Sequence, residues 1–149
     1  MDREDVARRG VVAALRALAL FDTVALLFAG VVHLVGARIP LGVAVFVEPS
    51  ISPAGVVEGL AGLLFALAAY EVWARTGRAW ASALAAHLFA VAGFTLGIVV
   101  TLSGTTTFNH DYHLAMMALF VLGLLLLATP GARAALGGGP RAFAEEEIS

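Results

Sequence analysis

Residues 110–129 read HDYHLAMMALFVLGLLLLAT, and this run decides what kind of fold the chain adopts. Its only charged residue is Asp111, which stands near the start of the run. An apolar stretch of about 20 residues is what an α-helix needs to cross the hydrocarbon core of a bilayer. Because lipid offers no partners for backbone polar groups, a spanning stretch of this kind must be helical. Asn109 before the run and Pro130 after it are typical start and stop signals.

Three more apolar runs precede this one, at residues 17–35, 54–74 and 79–102. Ser52 and Pro53 form a start signal for the second run, with Ser52 as the N-cap and Pro53 as the first helical residue. Only 13% of residues are charged and the mean hydropathy is +0.93, whereas soluble domains carry about 25% charged residues. We therefore predict an all-α fold, a four-helix transmembrane bundle. The predicted segments are an N-terminal segment 1–16, the bundle 17–129 and a disordered tail 130–149.

The arginines predict how the bundle is oriented. All nine basic residues are arginines, and Arg38 alone lies between the first and second runs or between the third and fourth. The positive-inside rule therefore places both termini, the segment 1–16 and the tail 130–149 in the cytoplasm. The layout resembles that of many small four-span bacterial membrane proteins, a resemblance of architecture only. We expect an integral, multi-pass protein of the inner (plasma) membrane of a bacterium or archaeon.

Four polar side chains within the runs are predicted to share one depth near the outer surface: His33, Glu58, His110 and His113. A helix rises about 1.5 Å per residue, so they fall within a layer one or two turns thick. Imidazole and carboxylate groups from different helices suit transition metals. Two or three histidines with one glutamate also leave an open position, as catalytic metal sites do. We predict that these four residues bind copper, zinc or iron.

The same cluster fits two other interpretations. His33 and His113 can face each other across the bundle and ligate haem b axially. A histidine with a glutamate can instead hydrogen-bond a quinone carbonyl and move its protons. In each case Asp111 and Glu48, near the rim, are the predicted partners that orient an imidazole.

Two more polar residues fall in the predicted inner half of the bundle. Asp22 lies about six residues into the first run, and His87 lies about eight residues into the third. A carboxylate at this depth needs a partner, and His87 is the candidate. The pair would be either one step of a proton or ion route or a structural link between two helices. Nearer the cytoplasmic surface, Glu71 and Arg75 are four apart and are predicted to form an ion pair.

Small residues at helical spacing predict close helix packing. Gly55 and Gly59 are four apart in the second run, and Gly93 and Gly97 repeat the spacing in the third. Such spacing lets two backbones approach closely, within one chain or between chains. Besides the lipid bilayer, we therefore expect a homo-oligomer or a partner membrane subunit. No basic stripe or motif predicts binding to nucleic acid.

Three functions remain open at this point. The first is a redox-related membrane protein with a metal or haem site, and the second is a non-catalytic subunit of a larger membrane complex. The third is a small proton- or ion-coupled transporter, which would act as an oligomer because four helices are few for a transporter. The sequence contains no cysteine, no phosphate-binding loop and no dinucleotide fingerprint. Whether the protein is an enzyme is therefore left open.

Overall fold

The computed structural model describes residues 3–40, 42, 45–101 and 107–137. Within these ranges the predicted all-α architecture is confirmed. Four long helices run back and forth, and a short helix follows the last of them: α1 Arg3–Val35, α2 Ser52–Ala74, α3 Ala79–Thr101, α4 Thr107–Ala128 and α5 Pro130–Ala135. The first four each contain a segment long and apolar enough to cross a membrane: Asp5–Val35, Ser52–Ala74, Ala79–Val99 and Asn109–Ala128.

The surface of the bundle is apolar and parts of its interior are polar. Large apolar side chains such as Phe28, Leu63 and Leu96 are about 60% exposed. Meanwhile the side chains of Asp22 and Glu58 are almost completely buried. Water-soluble monomers rarely expose so much contiguous apolar surface. The distribution supports a multi-pass membrane protein, with the outer helix faces meeting lipid.

A β-hairpin closes one end of the bundle, which is called the hairpin end below. Strands β1 Ala37–Pro40 and β2 Val45–Glu48 pair in antiparallel fashion, with Ala37 opposite Glu48. Gly36 joins α1 to the hairpin with a φ of +73°, a conformation that glycine adopts at no steric cost. The hairpin lies in the segment between the first two apolar runs, residues 36–53. It folds back over the bundle, since Glu48 is buried at 6% exposure.

The opposite end, called the arginine end below, holds a tight turn between α2 and α3. Arg75 ends α2 in the left-handed region, with φ 55°, and its backbone N–H donates to the carbonyl of Glu71. The carboxylate of Glu71 accepts a hydrogen bond from Ser82 and lies 3.4 Å from the Arg78 guanidinium. The predicted Glu71–Arg75 pair is therefore wrong, because the helix ends at Arg75 and the turn brings Arg78 to the carboxylate instead.

Two predicted helix starts are also corrected. Ile51, and not Ser52, is the N-cap residue of α2, and no side chain caps that helix. Asn109 is not the N-cap of α4, because α4 begins at Thr107 and Asn109 lies within its first turn. Residues 130–135, at the start of the segment 130–149 that was predicted to be disordered, form the helix α5, and the side chain of Thr129 caps it. Residues 102–106 and the predicted tail beyond residue 137 lie outside the described residues.

Glycines set the closest helix contact, which is between α1 and α2. A Cβ atom on Gly30 would lie 2.8 Å from the backbone nitrogen of Gly59, and one on Gly55 would lie 2.8 Å from the carbonyl oxygen of Gly30. Gly62 likewise opposes Leu27 of α1. The glycine spacing of α2 is therefore used within the chain, so it no longer argues for an oligomer.

Replacing Gly55 by alanine is expected to weaken the bundle by about 1–3 kcal/mol, because the new methyl group would press on the α1 backbone. The matched control is Gly59→Ala on the same helix, where an added Cβ meets no atom within 4 Å. That variant is expected to be neutral, or to gain up to about 1 kcal/mol of helix propensity. Reversible unfolding in mixed micelles measures both effects. Equal destabilisation by the two variants would contradict the described packing.

Candidate functional site

His33 lies between two buried carboxylates at the hairpin end. Its Nδ1 is 2.5 Å from Oε2 of Glu58, and its Nε2 is 3.4 Å from Oε1 of Glu48. All three side chains are at most 6% exposed. We call this group the His33 triad. Both ring nitrogens of His33 therefore face a carboxylate, and the three groups can hold and exchange protons across two short gaps.

Each member of the triad is brought to this point by a different element. His33 is in the last turn of α1, and Glu58 is in the second turn of α2. The close approach of Gly30 to Gly59 holds these two helix faces together, one turn below. Glu48 ends β2, and the backbone N–H of Ile51, just after it, donates to the carbonyl of His33. The hairpin thus places the carboxylate of Glu48 next to His33, from outside the α1–α2 pair.

A hydrogen-bonded chain extends the triad to α4. The Asn109 side-chain amide donates to Oε1 of Glu48 at 3.2 Å. The backbone carbonyl of Asn109 in turn accepts a hydrogen bond from Nδ1 of His113 at 2.7 Å. Four elements are therefore connected through five residues: Glu58, His33, Glu48, Asn109 and His113.

His113 presents its other nitrogen to α3. Since a carbonyl oxygen can only accept a hydrogen bond, the proton of the neutral ring is on Nδ1, and Nε2 carries the lone pair. The ring packs against Phe94, with centroids 5.0 Å apart. Gly97 provides the space, because a Cβ there would lie 2.5 Å from Nε2. This fixed orientation makes Nε2 an acceptor that can serve a ligand.

An apolar cavity of about 370 Å³ lies beside the triad, between α2, α3 and α4. His33, Glu58, Asn109 and His113 form its polar wall, and the remaining lining is apolar or glycine. Oε1 of Glu58 is buried and has no hydrogen-bond partner among the described residues. The rim includes Leu96, which is 63% exposed. The cavity therefore combines an opening on the apolar flank with hydrogen-bonding groups at its base.

A second cavity of about 250 Å³ lies on the other side of the same polar wall. It shares His33 and Asn109 with the first cavity, also includes Glu48, and is otherwise lined by side chains such as Phe28, Phe46 and Tyr112. His33 and Asn109 therefore lie between two apolar spaces.

The structure brings three of the four residues of the predicted outer cluster together. Glu48, which was predicted to lie near the rim, is a direct neighbour of His33. His33, Glu58 and His113 all line the larger cavity, and Glu48 faces His33 directly. His110 is half-buried and Asp111 is exposed, and neither lines a cavity wall described above. Among the described residues, no three His, Asp or Glu side chains are grouped so that they could hold a metal ion. Their arrangement favours hydrogen bonds over shared coordination.

Asn109 belongs to the site, although the sequence did not predict this role. It was expected to cap α4, whereas it connects the hairpin carboxylate to His113. The available signal was its position four residues before His113 on the same helix face, which suits a histidine-to-carbonyl hydrogen bond. Its partner Glu48 is 61 residues away, and no local pattern predicts such a contact.

Asp22 and His87, predicted as a pair, are not hydrogen-bonded to each other. Both carboxylate oxygens of Asp22 are buried without a partner among the described residues. Nδ1 of His87 bonds to the carbonyl of Ala83 at 2.7 Å, and its ring meets the edge of Phe65 at 4.7 Å. His87 packs against Gly123 of α4, where any Cβ would overlap the ring. The His87 ring therefore crosses the interface between α3 and α4 from the α3 side. The His113 ring crosses the same interface from the α4 side.

No protein-family model matches the chain, and neither a curated protein nor a solved structure matches it. The function must therefore be inferred from the chemistry around His33. Three features matter there: the triad, the oriented His113 ring and the cavity that both of them line.

The contact between His33 and Glu58 is expected to couple their contributions to stability. In a double-mutant cycle of His33→Gln and Glu58→Gln, we expect an interaction free energy of about 1.5 kcal/mol or more, since breaking a buried pair leaves its partner uncompensated. The control cycle pairs His33→Gln with Glu71→Gln. Glu71 is buried on α2 like Glu58, but it lies at the arginine end. That cycle should be additive within about 0.5 kcal/mol. A His33–Glu58 coupling no larger than the control would contradict the contact.

Proposed function

We propose that this protein binds a lipophilic carbonyl compound of the quinone class at the hairpin end and exchanges protons with it. The observation that carries the proposal is the buried side chain of Glu58, which belongs to the His33 triad, lines an apolar cavity and has no hydrogen-bond partner for its Oε1 among the described residues. A quinone or quinol needs such a pair of features, an apolar space for its ring and a group that hydrogen-bonds its oxygen.

The size and lining of the cavity support this class of ligand. Ligand sites are mostly apolar, with a few polar groups that fix the orientation of the ligand. Here the polar groups converge from one side, and the cavity of about 370 Å³ suits one substituted ring. The apolar rim at Leu96 leaves a route for a hydrocarbon tail toward lipid.

The triad supplies the proton chemistry. A quinone carbonyl next to Glu58 accepts a hydrogen bond from the triad, and a quinol hydroxyl donates one to the Glu58 carboxylate. The triad takes up the quinol proton only when an external electron acceptor oxidises the quinol. His33 relays that proton to or from Glu48, because both of its ring nitrogens face a carboxylate. The Nε2 lone pair of His113 can hold the hydroxyl of a quinol in place.

We also propose that the hairpin end faces outward and that the arginine end lies in the cytoplasm of a bacterium or archaeon, at its plasma membrane. Of the eight arginines among the described residues, seven are in the segments at the arginine end, and Arg38 is in the hairpin. Cytoplasmic loops carry such an excess of basic residues. Protons would then be exchanged on the outer side of the membrane.

Metal or haem binding is a second candidate, and one observation favours it. His113 donates Nδ1–H to a backbone carbonyl and presents Nε2, which is the usual arrangement of a metal-ligating histidine. His33 would have to leave one of its carboxylates to join the same ion. Equimolar copper, zinc, iron or haem in the purified protein, lost in His113→Ala, would favour this candidate over the quinone site.

Glu58→Gln is expected to weaken binding of a short-chain quinol such as ubiquinol-1 about tenfold or more, because the quinol hydroxyl loses its hydrogen bond to a charged carboxylate. Gly97→Ala is expected to weaken it as well, since the new methyl group displaces the His113 ring. Titration calorimetry on protein in nanodiscs measures both dissociation constants.

Two controls separate this site from general partitioning into the membrane. Glu71→Gln, buried at the far end of α2, should leave the dissociation constant unchanged. A hydrocarbon of the same ring size without hydroxyl groups should bind no differently to the wild-type protein and to Glu58→Gln. A wild-type protein that does not bind ubiquinol-1, or a Glu58→Gln variant that binds it equally well, would overturn the proposal.

The orientation can be measured directly because the chain contains no cysteine. Ser50→Cys at the hairpin end and Gly77→Cys at the arginine end are both at exposed positions. A membrane-impermeant maleimide added to intact cells is expected to label Ser50→Cys, and to label Gly77→Cys only after the membrane is opened. The reverse pattern would place the triad on the cytoplasmic side.

A further inference from the structure

A basic cleft of about 690 Å³ lies at the arginine end, remote from the His33 triad. Three elements form it: the N-terminal part of α1, the end of α2 and the short helix α5. Its lining includes four arginines, Arg8, Arg9, Arg16 and Arg75. On α1, Arg9 and Arg16 are seven residues apart and therefore lie on one helix face. The cleft thus concentrates guanidinium groups from two helices in one concave space.

Most of this positive charge is not neutralised within the described part of the chain. Arg8 pairs with Asp5 at 2.8 Å, and Glu71 is used by Arg78 outside the cleft. Among the described side chains, Arg9, Arg16 and Arg75 form no ion pair with a carboxylate. An anion entering the cleft would therefore meet at least three guanidinium groups.

Arg16 is the most firmly held of the four. It is half-buried, its Nη2 donates to the carbonyl of Val72 at 3.4 Å, and its guanidinium lies 5.7 Å from the ring centroid of Trp73. Its Nε is buried and has no hydrogen-bond partner among the described residues. A guanidinium that stacks on an aromatic ring and keeps an unused N–H is pre-organised to bind an oxyanion.

The remaining walls of the cleft are apolar. Val12, Val72 and Leu136 line it, and the last two are buried. A ligand suited to this cleft carries negative charge beside a hydrocarbon portion. Guanidinium groups bind phosphate through paired N–H donors, and basic pockets between membrane helices bind phospholipid headgroups.

We propose that this cleft is a binding site for a phosphate group, presented by an anionic phospholipid or by a soluble phosphate compound. The site is independent of the His33 triad and of any ligand bound there. Arg9, Arg16 and Arg75 contact the phosphate oxygens, and the apolar wall receives the adjoining hydrocarbon.

The test uses the full-length protein purified in a neutral detergent. Native mass spectrometry and the thermal unfolding midpoint are followed during titration with phosphatidylglycerol, with phosphatidylcholine as the neutral lipid. A parallel arm uses inorganic phosphate and glycerol phosphate against sodium chloride at matched ionic strength. Saturable binding of phosphatidylglycerol alone identifies a lipid, and saturable binding of the soluble compounds identifies a free phosphate. Either result supports the site, and saturable binding in neither arm overturns it.

Variants separate a built site from the general basic character of this end. Arg16→Gln is expected to weaken binding about tenfold, and Arg16→Lys is expected to fall between it and the wild type, since lysine keeps the charge but not the paired donors. Arg133→Gln removes the same charge at the same end but does not line the cleft, so it should change binding less than about twofold. If Arg16→Gln does not fold, the exposed Arg9→Gln and Arg75→Gln replace it. Equal losses in Arg133→Gln and in the cleft variants would overturn the proposal.

Discussion

The contact between His33 and its two carboxylates is the interaction on which the hairpin end depends. Lipid cannot solvate a carboxylate, so a buried glutamate in a membrane bundle must find its partner within the protein. Glu58 and Glu48 both find it in His33. Satisfying them requires α1 and α2 to approach closely and requires the hairpin to fold back over the helix ends. One polar contact therefore explains the glycines of α1 and α2, the left-handed Gly36 and the burial of Glu48 at the end of β2.

Glycine also shapes the other half of the bundle. His87 on α3 packs against Gly123 of α4, and His113 on α4 packs against Gly97 of α3. Each histidine donates Nδ1–H to the carbonyl four residues earlier. The two rings therefore cross the same helix interface in opposite directions and at different depths. Only His113 lines the apolar cavity beside the triad, so the site is at the hairpin end.

Much of the fold follows from periodicity and length, whereas the site follows from contacts between distant residues. The four spans were predictable because each apolar run matches the thickness of a bilayer. Depth along the helices correctly grouped His33, Glu58 and His113, since the rise per residue is constant. The depth of a residue along its helix does not show which way its side chain faces. For this reason His110 was placed in the predicted cluster, and Asp22 was paired with His87. The contact of Asn109 with Glu48 depends on the hairpin, which no local pattern predicted.

The state of the His33 ring nitrogens can be measured by ¹⁵N nuclear magnetic resonance on histidine-labelled protein in nanodiscs. The signals of His33 are assigned by their loss in His33→Gln. Because His33 lies between Glu58 and Glu48, we expect both ring nitrogens to be hydrogen-bonded, one to each carboxyl group. A His33 nitrogen with a free lone pair, or one bound to a metal, would show that the triad does not form.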